Sequence, residues 1–252
     1  HQERSYVLAL ENAAPVGGMY IGEEKNSLSF RDAEGLLLFG GAGTRTGKNR
    51  EGGNFEQLMQ SAKVFYPACK AVYRWAAQDC MPHDQIPYIG LLSEKWPGVY
   101  VATGFQKWGM TSSMAAAEIL TDFICGRENG DAPVFSPQRF HPFVSTPKLL
   151  IDGAQTVYSI AKEKLEIPRE TLFAIPNGTA AVVKVEGEKV GVYKTPDGGA
   201  YCVTVRCPHL GCRLEWNPAE LSWDCPCHGS RFDYTGKLLN DPAQTGIEKA
   251  ER

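Results

Sequence analysis

Two short loops hold most of the chemistry this chain can do. RCPHLGCRLEW, residues 206–216, and DCPCHGSRFDY, residues 224–234, together carry four cysteines and two histidines. Cys207 and His209 form C-x-H, Cys225 and His228 form C-x-x-H, and 15 residues separate the two pairs. Thiolate and imidazole are metal ligands, so this grouping points to a bound metal or metal cluster. A tetrahedral Cys2His2 zinc site has the right ligand types, although zinc pairs usually enclose two to four residues and C-x-H encloses a single one. A cluster of structural disulfides would leave His209 and His228 without a role. On any reading that uses one metal ion, Cys212 and Cys227 are surplus.

CPHLGC and CPCHGS resemble the two cluster-binding boxes of Rieske iron-sulfur proteins, and both boxes are complete. The resemblance implies a [2Fe-2S] cluster whose inner iron is held by Cys207 and Cys225 and whose outer iron is held by His209 and His228. Two neutral imidazoles in place of two thiolates make such a site less negative, so an added electron is repelled less. The potential then lies at roughly −150 to +300 mV, against about −400 mV for all-cysteine plant-type clusters. Each imidazole also keeps a second N–H that can ionise, which ties electron uptake to proton uptake at His209 or His228. In the high-potential branch of the family, the residues matching Cys212 and Cys227 form a disulfide between the boxes; a reducing compartment would favour free thiols instead. The resemblance further implies that the Ser230 hydroxyl bonds a cluster sulfur, that Leu210, Gly211 and Gly229 shape the boxes, and that Asp241, Pro242 and Ala243 form a third, shielding loop. Phe232 departs from the tyrosine common in high-potential members, which implies a potential lower in that range. Trp216 and Trp223 suit the core of a small domain better than a lid, and Cys202, in an alternating strand, suits the core as well.

Elements must position these loops. From about Ile167 the pattern is one of short strands, TAAVVKVEGEKVGVYKTPDGGAYCVTVRC, with EGEK and PDGG as hairpin turns. That predicts a small all-β domain, near the size at which a fold leans on a metal or other staple. The first ~140 residues instead alternate strands and helices. SYVLALE and GLLLFGGAG read as buried strands, and NFEQLMQSAKVFYPACKAVYRWAAQ starts as an amphipathic helix that Pro67 ends. PGVYVATGF is a further strand. TSSMAAAEILTDFICG follows as a helix, with Thr111 or Ser112 as cap, an apolar stripe through Met114, Ile119 and Phe123, and Gly126 as stop. Residues 127–148 read as a linker, and GAQTVYSIAKEKL as a short helix. The expected fold class is α+β, with a first domain over 1–143, a linker with a short helix over 144–166, and the all-β domain over 167–252.

The glycines of LLLFGGAGTRTG invite a dinucleotide-binding reading, but Thr46 occupies the third glycine position and no second strand ends in an acidic residue about 20 residues on. A strand ending in a flexible turn is expected instead. Three stretches, SLSFRDAEGLLLFGGAGTRTG, AVYRWAAQDCMPHDQIPYIG and PGVYVATGFQKWGMTSSMAAAEIL, together resemble the C-terminal half of FAD-dependent oxidoreductases related to D-amino-acid oxidase and glycine oxidase. That resemblance implies that Gly104, Phe105, Gln106, Lys107, Trp108, Gly109, Met110 and Thr111 face the pyrimidine edge of a flavin. Amide donors at this helix start would stabilise negative charge on the reduced ring. The family's N-terminal Rossmann unit, which binds the ADP half of FAD, has no counterpart here, so FAD is expected in a full-length parent and an N-terminal FAD-binding half or chain as partner. Arg45, His83 and Tyr88 are candidates for substrate chemistry, though each also suits surface or packing roles.

Composition narrows the classes. Lys plus Arg number 26 against 29 Asp plus Glu, a balance that argues against nucleic acid or an anionic membrane as partner. No apolar run reaches the ~20 residues of a spanning helix. Five of the eight cysteines crowd between 202 and 227, unlike a secreted disulfide scaffold, and a cytoplasmic location is expected. The start at His1 without Met suggests a fragment or a processed product. The functional expectation is one-electron transfer at a Rieske cluster within a parent flavoenzyme that acts on a small amine or amino acid and passes electrons to an unknown acceptor. The alternative is a stand-alone Rieske electron-transfer module beside a non-catalytic, partner-binding domain.

Overall fold

The structure is a computed structural model that describes residues 1–24, 27–139, 142–165 and 174–250. The expected boundary at 166/167 lies outside the described residues. Five strands form the first sheet: β1 (Gln2–Glu11), β2 (Met19–Ile21), β3 (Ser29–Ala33), β4 (Leu36–Arg45) and β5 (Lys70–Cys80), in the order β2-β3-β4-β1-β5. Alternation along β1 puts Tyr6, Leu8 and Leu10 on one buried face, where antiparallel register sets Leu8 opposite Phe39 and Leu10 opposite Leu37. Helix α1 (Asn54–Phe65) closes that face with Phe55, Leu58 and Ala62, and the Tyr6 and Phe55 rings meet edge to face at 5.0 Å. Each such large side chain contributes about 1.5–3 kcal/mol through burial. Strands β3 and β4 are joined through Glu34 and Gly35, both at positive φ, the backbone that a two-residue hairpin of matching twist requires. As expected, α1 stops at Phe65, ahead of Pro67. The following stretch, which includes Val72, Tyr73 and Trp75, is β5 rather than more helix.

By compactness the chain forms two units: His1–Gln2 with Asp79–Ala154, and Glu3–Gln78 with Gln155–Arg252. In the first, β6 (Tyr88–Leu91) and β7 (Tyr100–Thr103) pair antiparallel, and α2 (Gly109–Ile124) packs Ala116 and Ile119 against Ile89. The α2 stripe differs from the expected one. Met114 is 72% exposed and Phe123 is 39% exposed, because the helix turns its small residue Ala116 inward and approaches closely through that face. Neither Thr111 nor Ser112 caps it; the helix begins at Gly109, Trp108 holds the cap position without a side-chain bond, and the Thr111 hydroxyl donates to the Trp108 carbonyl at 3.1 Å.

Helices α3 (Ala132–Phe135) and α4 (Pro142–Leu165) occupy much of the stretch expected as linker. Helix α4 starts eleven residues before the expected Gly153 and opens on a proline, whose missing N–H costs nothing in a first turn. Between the two helices Arg139 donates to both oxygens of Asp84, at 2.7 and 2.9 Å, and its guanidinium lies 3.9 Å over the Tyr88 ring. Burial works to raise the Asp84 carboxyl, but the bonds from Arg139 and from backbone N–H groups, with the Arg139 charge, together hold the pKa below the ordinary range.

The C-terminal strands form two small antiparallel sheets. One contains β8 (Ala180–Val185), β9 (Glu188–Lys194) and β10 (Ala200–Thr204) in the order β10-β9-β8, with turns at EGEK and PDGG as expected. The other contains β11 (Glu215–Asn217), β12 (Ser222–Asp224), β13 (Arg231–Asp233) and β14 (Leu238–Asn240) in chain order. Their core gathers Val203, Val205, Leu214, Trp223, Phe232, Ala243 and Ile247 around four cysteines. Trp223 is a core residue, Trp216 packs partly buried beside it, and Cys202 sits half-buried against Val183, Val190 and Val192.

Candidate metal centre

The two cysteine- and histidine-bearing loops are the same turn built twice. Between β10 and β11, the Gly211 N–H donates to the Cys207 carbonyl and the Cys207 N–H donates to the Cys212 carbonyl, both at 2.9 Å. Between β12 and β13, the Gly229 N–H donates to the Cys225 carbonyl at 3.0 Å and the Cys225 N–H to the Ser230 carbonyl at 2.8 Å. Gly211 and Gly229 take the matching left-handed position, at φ 76 and 87. Superposing the turns residue on residue sets Cys207 on Cys225 and Cys212 on Ser230, with the histidine third in the first loop and fourth in the second. The offset brings the His209 and His228 rings edge to face, with centroids 5.0 Å apart. Cys207 and Cys225 are buried, His228 is half-buried and His209 is exposed, so sulfur lies inside and nitrogen outside.

Four buried thiols share this space, and the sulfurs of Cys212, Cys225 and Cys227 lie within 4.8 Å of one another. Their proton affinities are driven apart. A hydrogen bond from Cys225 lowers the Cys207 pKa to about 6, assisted by the His209 N–H and the Ser230 hydroxyl. Hydrogen bonds from Cys212 and then Cys225 lower Cys227 to about 3. Cys225, which donates first to Cys207, is pushed up. The donor set of cysteine sulfurs and imidazoles fits an iron-sulfur cluster. Cys212 and Cys227 are not joined to each other in the structure.

Ser230 is fully buried, bonds the Cys207 sulfur and accepts the Ala243 N–H at 3.0 Å, which fixes the loop of Asp241, Pro242 and Ala243 to the second turn. Leu210 projects at the exposed rim beside His209, and Phe232 is buried with no exposed surface.

Residues 170–251 match the family described as Rieske [2Fe-2S] domain, and residues 1–123 match the family described as FAD dependent oxidoreductase. The chain joins an FAD-dependent oxidoreductase domain to a Rieske [2Fe-2S] domain. It is 37% identical over 249 residues to YhfW of Bacillus subtilis (strain 168), named as a Rieske 2Fe-2S iron-sulfur protein, an alignment covering 96% of this chain and 49% of that one. It is 35% identical over 94 residues to the cytochrome b6-f complex iron-sulfur subunit 2 of Trichormus variabilis, covering 35% of this chain and 53% of that one. Among solved structures, glycine oxidase from Geobacillus kaustophilus overlaps with a TM-score of 0.47 at 19% identity, over 56% of this chain and 40% of that one. The chain thus spans about half the length of these curated relatives. Among the described residues no helix is long and apolar enough to cross a membrane.

In the oxidoreductase domain, residues 104–111 form the loop and first turn between β7 and α2. Gly104 lies where a Cβ would meet the Pro82 ring at 2.6 Å, Gln106 donates from its side chain to the Gln85 carbonyl at 2.6 Å, and the Trp108 N–H donates to the Phe105 carbonyl at 2.9 Å. Lys107, Trp108 and Met110 are exposed, and the first turn, Gly109 to Thr111, contains no acidic residue. The substrate candidates do not converge. Arg45 binds the Pro226 carbonyl in the second Rieske box, His83 sits 3.5 Å from Asp152, and Tyr88 carries Arg139 on its ring face. The glycine-rich stretch ends β4 in a turn, as expected, and Gly47 packs on the second box.

Sequence reasoning missed a buried polar seam joining the first sheet to the Rieske domain. Asn49 donates to the Tyr6 hydroxyl and to Asn217, both at 3.0 Å, and Asn217 donates to Asp224 at 3.0 Å. Glu220 pairs with Arg4 on one side and Arg231 on the other. Every partner is polar and unremarkable in its own neighbourhood, so no local pattern signals the seam.

Proposed function

We propose that Cys207 and Cys225 hold one iron of the Rieske cluster and His209 and His228 the other, and that Cys212 and Cys227 close a disulfide across the boxes. The observation that supports this reading is the repeated turn, with Cys207 and Cys225 buried and the two histidine rings in edge-to-face contact. When bound, such a cluster supplies one-electron transfer and FAD supplies two-electron chemistry. The chain's own contribution is positional. Gly211 and Gly229 close the boxes, the Ser230 hydroxyl stabilises charge on the Cys207 sulfur, and Pro242 with its neighbours covers the second box. His209 presents its imidazole to solvent.

We further propose domains over 1–143 and 167–252, and a parent flavoenzyme that oxidises a small amine or amino acid and passes electrons singly through the Rieske domain to an acceptor yet to be found. The N-terminal start of α2, with Gly104 to Thr111, would lie against the flavin and stabilise its reduced form, and an N-terminal FAD-binding half would complete the site. The test is low-temperature EPR of the dithionite-reduced protein, with iron and acid-labile sulfide counted on the same sample. Two irons per chain and a rhombic signal of mixed nitrogen and sulfur ligation are expected. One zinc and no signal would overturn the reading. With the full-length parent, flavin bleaching across a panel of amines tests the substrate class, and no amine-dependent bleaching would remove it.

A further inference from the structure

The two boxes are held very differently. The first is closed by its own backbone bonds and by the short bridge between Arg206 and Arg213. The second is gripped from outside the Rieske domain. Arg45, at the end of β4, donates from Nε and Nη2 to the Pro226 carbonyl at 3.3 and 3.2 Å. Gln78, in β5, donates to the Gly229 carbonyl at 2.9 Å, and its own carbonyl accepts the Thr46 hydroxyl at 3.1 Å. Hydroxyls of Ser159 and Thr156, on α4, hydrogen-bond the Cys227 sulfur. Gly47 lies so close to Pro226 and Cys225 that a Cβ there would meet three backbone atoms within 2.9 Å. Two of the three non-histidine peptide units around His228 are therefore held by groups belonging to the oxidoreductase sheet.

We propose that Arg45 and Gln78 are positioning residues for the cluster: the oxidoreductase sheet sets the geometry and the reduction potential of the Rieske centre, which is a fixed head rather than a mobile one. This rests on the ligand assignment above. The physics has two parts. A guanidinium fixed beside the second box is a positive charge that favours the reduced, more negative cluster in a medium of low dielectric. The bonds from Arg45 and Gln78 to two carbonyls of one turn fix how that turn presents Cys225 and His228, in the way that outer partners orient first ligands in metal sites generally. Thr46 holds the Gln78 amide in the orientation that puts its N–H groups on Gly229.

The experiment is redox titration of the purified chain followed by EPR, on wild type, Arg45→Gln, Arg45→Lys and Gln78→Leu, with amide exchange of residues 225–230 measured alongside. Arg45→Gln is expected to lower the ratio of reduced to oxidised cluster at the wild-type midpoint by about threefold or more, which is about 28 mV on a one-electron scale of 59 mV per decade. Arg45→Lys, which keeps the charge, is expected to retain most of the potential. Gln78→Leu, which removes no charge, is expected to change the g values and to speed exchange in the second box. Unchanged potential and g values in both Arg45→Gln and Gln78→Leu would overturn the proposal, as would faster exchange with no change in either spectrum or potential, because the contacts would then be structural only. Absence of the rhombic signal from the wild type would instead overturn the ligand assignment on which it rests.

Discussion

Gly47→Ala tests whether the second box is seated on the sheet as tightly as the backbone geometry requires. Gly47 sits at φ +74, where an L residue costs about 1–2 kcal/mol. An added Cβ would lie 2.5 Å from the Pro226 nitrogen, 2.7 Å from its Cα and 2.9 Å from the Cys225 carbonyl carbon. None of these is the far end of a side chain that could swing away, so the turn and the box must separate. Overpacking of that kind costs about 1–3 kcal/mol, and the sum is about 2–5 kcal/mol. Gly17 supplies the control, since it shares the positive φ, at +69, with nothing within 4 Å of its Cβ position. Gly17→Ala should cost about 1–2 kcal/mol from conformation alone. The assay is denaturant unfolding of wild type and both variants, read by far-UV circular dichroism and by the visible absorbance of the cluster. The expected result is a larger loss for Gly47→Ala than for Gly17→Ala, with cluster absorbance lost at lower denaturant than secondary structure. Equal losses would refute the reasoning, because the close approach to Pro226 would then contribute nothing.

Three further outcomes are expected. Ser230→Ala removes the hydroxyl that bonds the Cys207 sulfur and accepts the Ala243 N–H; it should lower the reduction potential and destabilise the Rieske domain by about 1–3 kcal/mol, and a voltammetric midpoint equal to wild type would contradict the first role. Removing the iron by chelation under reducing conditions should lower the Tm of the Rieske domain, because ligand binding to the folded form alone stabilises it; an unchanged melting curve would show that the buried thiols need no metal. Asp84, whose pKa is held down in the folded state, lends stability that is fully present above the ordinary carboxylate range near 3.9 and is lost as pH falls through its lowered folded value. Acid titration of wild type against Asp84→Asn should therefore show two curves that converge below about pH 4, and parallel curves down to pH 2 would refute the link.

What the sequence made legible was whatever a short window contains. The donors of each box lie within five residues of one another, and the turn that presents them is closed by bonds inside the same window, so CPHLGC and CPCHGS carried both identity and local geometry. The β-hairpins at EGEK and PDGG and the stop at Pro67 were legible for the same reason. Helix α2 was found, but its inward face was misjudged: Met114, five residues from Ile119, points away from it, whereas Ala116, three residues from Ile119, shares its face and packs with Ile89. Helix α4 was hidden by Pro142, Ser145 and Pro147, which look like loop residues until the proline is found in the first turn. Arg45 looked like a substrate residue from its place after a glycine-rich strand, yet its partner lies 181 residues away. Gln78 lies 151 residues from Gly229. Separations of that size leave no trace in any local pattern.

The seam and the grip together explain why a small Rieske domain is attached where it is. Asp224, one residue before Cys225, is buried, and burial raises its pKa; Arg231, Ser222 and Asn217 all bond it, and Asn217 in turn takes the Asn49 bond that reaches Tyr6. The strand that delivers the second box is thus tied to β1 by a hydrogen-bonded chain with its polar groups matched, the arrangement in which a buried network gives a unique register rather than a penalty. Pro226, Gly229 and Cys227 are then held from β4, β5 and α4. In the first box His209 and Leu210 face solvent. On the proposed ligation, the second box would be built into the oxidoreductase sheet and the first would carry the exposed His209. On that proposal the exposed His209 edge would face an electron partner while the second box stays seated, and the potential would follow from Arg45 and Gln78.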